Sequence, residues 1–376
     1  MSARVLIIGL ASATAVAQVG SAQTPIPEWR LSAQQLVIDG TISSLHRVRG
    51  AAILSDGKIV LADAGNNRLL LYSVDGAQIR VLGREGTGPG DVQLIWDLAV
   101  LSDTILTYDT GLSRVSLWTP TDGFVRSTSL ASMPGQMLEL RAFVTPSEFV
   151  VTRRTARAQS SKGLFTDTVS VLRFHASPQA ISEIERRAWD QRYFYPQGNG
   201  ATTYVTPFLG SAHVAVAGRH ILTVPLAGAE VVIRAFDDGD TAVIQLPVSR
   251  RPFDRTLVNA YRDSLLRLRR QSTVPMPGAE QRIHDVFGPA FPLPRLRPVI
   301  ENAKTVGADV WLRTFEGTGS AVDWYVINPS AKRLVARLSL PASWRLLGGT
   351  GGKVLILKRD ADGVESVSVH AILRTP

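Results

Sequence analysis

The chain contains no cysteine, so disulfides, thiolate nucleophiles and zinc–thiolate sites are all closed to it, and the fold must be held by burial and hydrogen bonding. Lysine is nearly as scarce: only 6 of the 41 basic residues are lysine, and the arginines are scattered rather than run together. The formal net charge of +9 therefore describes a dispersed basic surface, not the stripe or patch of a nucleic-acid footprint, and no nucleic-acid partner is expected. Beyond the N-terminus no run approaches the ~18 uninterrupted apolar residues of a helical membrane span. His46, His175, His213, His220, His284 and His370 form no H-x-H or H-x-x-x-H pair, and no serine sits in a G-x-S-x-G elbow. No metal, cofactor or catalytic residue is expected from motifs of this kind.

What the chain does have is a strand rhythm. Residues 48–90 hold four short runs rich in β-formers, VRGAAIL, IVLAD, RLLLYSV and QIRVLG, separated by turn pairs at Asp56-Gly57, Asn66-Asn67 and Asp75-Gly76. A four-stranded meander of this size exposes both faces and needs a neighbour on each, which radial repetition supplies. The rhythm returns at 95–130, 138–184, 212–247 and 299–341, and a last unit at 343–373 supplies only three strands. An orphan run at 35–39, QLVID, precedes the first unit. Pairing it with 366–372 completes the sixth sheet and protects an edge that would otherwise lie open. The expectation is all-β: a six-bladed β-propeller of four-stranded antiparallel blades, closed by an N-terminal strand, in one domain over 23–376.

The stretch SDGKIVLADAGNNRLLLYSVDG followed by GREGTGPGDV resembles the NHL-type six-bladed β-propellers, and more closely the secreted bacterial six-bladed propellers of unknown function. The likeness covers one blade and its exit loop well, the next blade moderately, and the remainder by rhythm. Asp63, Asn67 and Arg68 match the family's D-x-x-x-N-R pattern, and the resemblance implies that they tie the hairpin and neighbouring blades together. Some six-bladed propellers, the calcium-dependent lactonases and the amidating lyases, hold a metal at the ring's centre; this chain has no recognisable version of either set. The glycine-rich run 83–90 lacks the Lys-Ser/Thr and the following helix of a phosphate loop, and reads as an inter-blade connection.

Three further segments stand out. Arg4, the apolar stretch 5–17 and Gly20-Ser21-Ala22 read as a signal peptide over 1–22, which places the protein in the periplasm or outside the cell. Residues 189–208, WDQRYFYPQGNGATTYVTPF, concentrate aromatic rings in what reads as an inter-blade loop. Residues 253–270, FDRTLVNAYRDSLLRLRR, carry helical periodicity with Phe253, Leu257, Val258, Tyr261, Leu265 and Leu268 on one stripe and Asp254 placed to cap. That face belongs against the propeller, with contact to anionic lipid as the lesser alternative.

The binding site is expected where propeller geometry puts it, at the mouth-side start of each innermost strand. The residues there are Arg49, Trp96, Asp97, Glu139, Arg141, His213, Glu301, Asn302, Trp344 and Arg345. Mixed charge with indole rings suits a polar small molecule, glycan or protein segment. The function expected is a secreted binding or interaction module, with a propeller hydrolase or lyase acting in the central funnel as the alternative.

Overall fold

The computed structural model describes residues 25–130, 138–154, 161–176, 179–197, 200–206, 208–226, 228–272, 275–315 and 320–374. The expected signal peptide and most of the polar tract 155–162 lie outside these.

Each unit folds as a meander because its strands are apolar and its turns are built from residues that tolerate the required dihedrals. In the first blade, Val48–Ile53, Ile59–Asp63, Arg68–Tyr72 and Gln78–Glu85 pair in sequence order, and Asp91–Val92 adds a short parallel strand at the edge. Gly57 and Asn67 take the left-handed conformation that glycine and asparagine adopt most readily. Every residue of Ile59–Asp63 is buried, since this strand has a neighbouring blade on each face. The same order recurs in the second blade, Ile95–Leu101 to Gly123–Ser129, the fourth, His213–Ala217 to Thr241–Gln245, and the fifth, Ile300–Val306 to Arg333–Pro341.

The sixth sheet closes as the sequence predicts. Leu36–Ile38 pairs antiparallel with Glu365–Leu373, setting Leu36 opposite Val369 and Ile38 opposite Val367. A second N-terminal strand, Arg30–Leu31, pairs further along the same partner. The six sheets form a β-propeller, and apolar clusters join every neighbouring pair of them. The cluster that joins last to first sets Leu347, Leu355 and Val367 against Val48, Ile59 and Leu61, with Ile38 between. The blades approach closely: a methyl on Gly50 would sit 3.0 Å from Leu98 Cβ of the next inner strand.

The third blade departs from expectation. Its outer strand, Gln179–Gln197, continues through what the sequence reading takes for a loop and turns into Gly200–Tyr204. The physical reason is a partner: Gly163–Ala176 also runs long, so that Gly163 faces Phe194 and Phe165 faces Arg192. Residues 189–197 and 200–204 are thus strand, with the turn between them outside the described residues.

The helix forms over Arg255–Gln271, capped by Asp254, whose Oδ1 accepts from Thr256 N at 2.9 Å. Leu257, Val258 and Leu266 are buried, but Leu268, assigned to the apolar stripe on spacing, is exposed. A shorter helix, Ala279–Val286, follows in the proline-rich return, where the sequence reading names none. Helices and third-blade extension share a core of Tyr193, Phe208, Leu209, Val258, Val286, Phe287 and Phe291. Val258 of the longer helix is thus fully buried in this core, with Tyr261 and Leu265 packed against it.

Candidate functional site: the central cavity

The inner strands share an irregularity that sequence periodicity does not reveal. Pairing skips one residue between Val48 and Gly50, Ile95 and Asp97, Leu140 and Ala142, Ile300 and Asn302, and Leu346 and Gly348. The skipped residues are Arg49, Trp96, Arg141, Glu301 and Leu347. A β-bulge leaves its extra residue unpaired and re-aims its side chain, so four of these five strands present a charged or aromatic group near the mouth. The fourth blade has no skip, and His213 faces Val224 in regular register.

These side chains converge. A central cavity of about 480 Å³ is lined by Arg49, Trp96, Asp97, Arg141, His213, Asn302 and Arg345, which are seven of the ten residues the sequence nominates and come from all six blades. The other three do not line it. Glu139 stands beside it as the ion-pair partner of Arg141, and Glu301 turns to Arg313 at 3.4 Å. Trp344 is drawn into the interface between the last two blades, stacking on His370 at 5.2 Å with Lys358 over its other side at 4.3 Å. Its position just before the strand Arg345–Gly349 places it in the packed wall, not in the funnel.

Among the lining residues that the sequence did not nominate are one indole and one charge. Trp189 lies midway along the third blade's outer strand, and Lys304 lies four residues after the start of the fifth blade's inner strand. Alternation from Asn302 would have pointed to Lys304, since residues two apart on a strand share a face. Trp189 opens the aromatic-rich segment 189–208 that the sequence marks, but it reaches the cavity from a strand and not from a loop.

The electrostatics are basic. Arg49, Arg141, Lys304 and Arg345 line the cavity against one carboxylate, Asp97, among the described residues. Lys304 Nζ is matched by Asp97 Oδ1 at 3.1 Å, and Arg141 is matched by Glu139, with its Nε donating to Thr152 Oγ1 at 2.8 Å. Burial holds the Arg141 guanidinium below its ordinary value, with Glu139 opposing. His213 is also held below its ordinary value by burial, against the opposing effect of its contact to the Ile300 carbonyl at 3.2 Å. Arg49 lies over the Trp96 ring at 4.5 Å, and Arg141 over Trp189 at 5.0 Å, so two cation–π pairs from different blades face one cavity. Among the described residues no group of His, Asp and Glu gathers at metal-binding spacing.

Of the D-x-x-x-N-R residues, Asp63 and Arg68 bond each other within the first blade's hairpin. Asp63 is fully buried, accepting from His46 N at 2.9 Å, Asn66 Nδ2 at 2.8 Å and Arg68 Nε at 3.0 Å.

No family model and no curated protein matches the chain. Solved structures with a similar course include a candidate exported protein of Bacteroides fragilis, 13% identical, covering 93% of this chain and 96% of that one with a TM-score of 0.49. A DUF4221 family member from Bacteroides vulgatus is 9% identical over 93% and 99%, with a TM-score of 0.49. Virginiamycin B lyase from Staphylococcus aureus is 11% identical over 91% and 99%, with a TM-score of 0.42. These are likenesses of overall course, and the propeller assignment stands on the six sheets and the clusters that join them.

Proposed function

We propose that the protein is an exported binding module of the NHL-like six-bladed type whose ligand, a polar organic molecule, occupies the central cavity. One observation carries this reading: polar or aromatic side chains from all six blades converge on a single cavity of about 480 Å³, a volume within the range of small-molecule sites. A ring stabilised only by its apolar clusters has no need of a lysine, three arginines and an exposed indole at its centre. Pre-organisation supports binding too, because Arg141 and Lys304 are already fixed by Glu139 and Asp97. Export rests on residues 1–22, and N-terminal sequencing of protein secreted by its native host should begin near Gln23.

The test is equilibrium dialysis against a small-molecule extract of the host, with retained compounds identified by mass spectrometry. Wild type should retain a compound that Asp97→Ala and Arg141→Ala release. Retention by both variants at the wild-type level would remove the ligand from the cavity.

A further inference from the structure

The cavity's cations are not equally satisfied, and the difference locates one end of the ligand. Lys304 and Arg141 have carboxylate partners, whereas Arg49 and Arg345 have none among the described residues. Arg345 donates to the backbone carbonyls of Val48 and Arg49, which ties its guanidinium to the first blade's inner strand where the ring closes, and both arginines line the cavity. Among the described residues, the Arg49 side chain has the Trp96 face and no hydrogen-bond acceptor, so its N–H donors remain available to a ligand. Glu365, the carboxylate that acts on both arginines, is 2% exposed and already engaged: Oε2 accepts from Val48 N at 2.6 Å, and Oε1 accepts from Arg359 Nε at 2.8 Å.

The surroundings accentuate the surplus. Arg47, in the left-handed conformation at φ +53°, and Arg359 both act on Arg49, so that guanidiniums outnumber the one carboxylate acting there. Burial first, and then Arg47, hold Arg49 below its ordinary value; burial first, and then Arg49, do the same to Arg345. Two adjacent, partly desolvated guanidiniums repel each other, and an oxyanion between them removes that repulsion while accepting their forked donors. Trp96, 49% exposed, offers an apolar face directly beside them.

We infer that the ligand is an organic anion, its carboxylate or phosphate received by Arg49 and Arg345 and its body lying against Trp96. This rests on the cavity-binding reading and narrows it. Neutral sugars and cationic peptides are thereby excluded as principal ligands, and the anionic end lies at the junction of the first and sixth blades.

Calorimetric titration with malonate and, separately, with inorganic phosphate tests the inference on the folded wild-type protein. At least one should bind saturably, and Arg49→Gln and Arg345→Gln should each weaken it about tenfold, the loss of roughly one charge-assisted hydrogen bond. Arg345→Lys keeps the charge but not the fork and should fall between wild type and Arg345→Gln. Arg337→Gln, distant from the cavity, serves as the control, and thermal midpoints establish that each variant is folded. Preference for malonate assigns a carboxylate and preference for phosphate assigns a phosphate. Absence of saturable binding by both, or binding unchanged in both glutamine variants, overturns the inference. Should a neutral compound from the host extract bind in the cavity while both anions fail, the cavity reading survives and the anionic class falls. Should the anions bind as expected while the extract ligand ignores Asp97→Ala and Arg141→Ala, the arginine pair stands as an anion site and the assignment of the extract ligand to the cavity falls.

Discussion

The Arg49 guanidinium lies 4.5 Å from the centroid of the Trp96 ring, a contact that joins the first blade to the second across the mouth of the cavity. Both residues are the extra residue of a bulge in their inner strands. Their meeting depends on two separate departures from regular pairing, each of which turns out a side chain that strict alternation would direct elsewhere.

This pair should matter more to binding than to folding. Cation–π contacts at exposed sites contribute about 0.5–1 kcal/mol, and Arg49 makes no protein hydrogen bond through its side chain among the described residues. Trp96→Ala should therefore lower stability in urea by no more than about 1 kcal/mol while weakening the calorimetric binding of malonate or phosphate. A loss several times larger would mean that the indole is a packing element.

Ring closure should be the costliest place to cut. Ile38 is 1% exposed within the cluster that joins last blade to first, while its neighbour Val37 is 39% exposed. Ile38→Ala should cost about 2–5 kcal/mol by urea denaturation and Val37→Ala less than about 0.5 kcal/mol. Equal effects would show that the N-terminal strand does not close the ring through its buried face.

The buried carboxylate of the first blade yields a third expectation. Arg68→Ala leaves Asp63 fully buried with its charge no longer countered by Arg68, though still accepting from His46 N and Asn66 Nδ2. Breaking such a pair from one side costs about 3–5 kcal/mol, whereas the double variant Asp63→Asn with Arg68→Ala should recover part of it. Simple additivity in that cycle would separate the two residues energetically.

Stability should also depend on pH through the buried imidazoles. The folded pKa values of His213 and His370 lie below the ordinary 6.5, each chiefly through burial. As pH falls below 6.5 the unfolded chain takes up protons that the folded one resists, so it binds more protons and gains free energy. The contribution is fully present above pH 6.5 and is lost progressively as pH falls toward the folded values. The thermal midpoint should therefore decline below that pH, and His213→Gln should make the decline shallower. A midpoint that rises on acidification through this window would reverse the sign and refute burial as the cause.

The meander, the number of units, the helix with its Asp254 cap and the closing strand 35–39 were legible in the sequence. Each is a local matter of apolar period, turn residues and one missing partner, and those are physical properties of short segments. Seven cavity residues were legible as well, because the innermost strands start around the axis, although Glu139, Glu301 and Trp344 at the same starts do not line the cavity. The third-blade extension was not, since residues 191–194 take their partners at 163–166 and residues 193–197 theirs at 200–204. Trp344 and Leu268 misled for a related reason: position on an element sets direction to within a face, while the neighbour that fills that face lies elsewhere in the chain. What tertiary structure alone decided is the pairing of charges. Lys304 meets Asp97 from 207 residues away and Glu365 is taken by Val48 from 317 residues away, so which arginines remain without a carboxylate is settled only when the ring has closed.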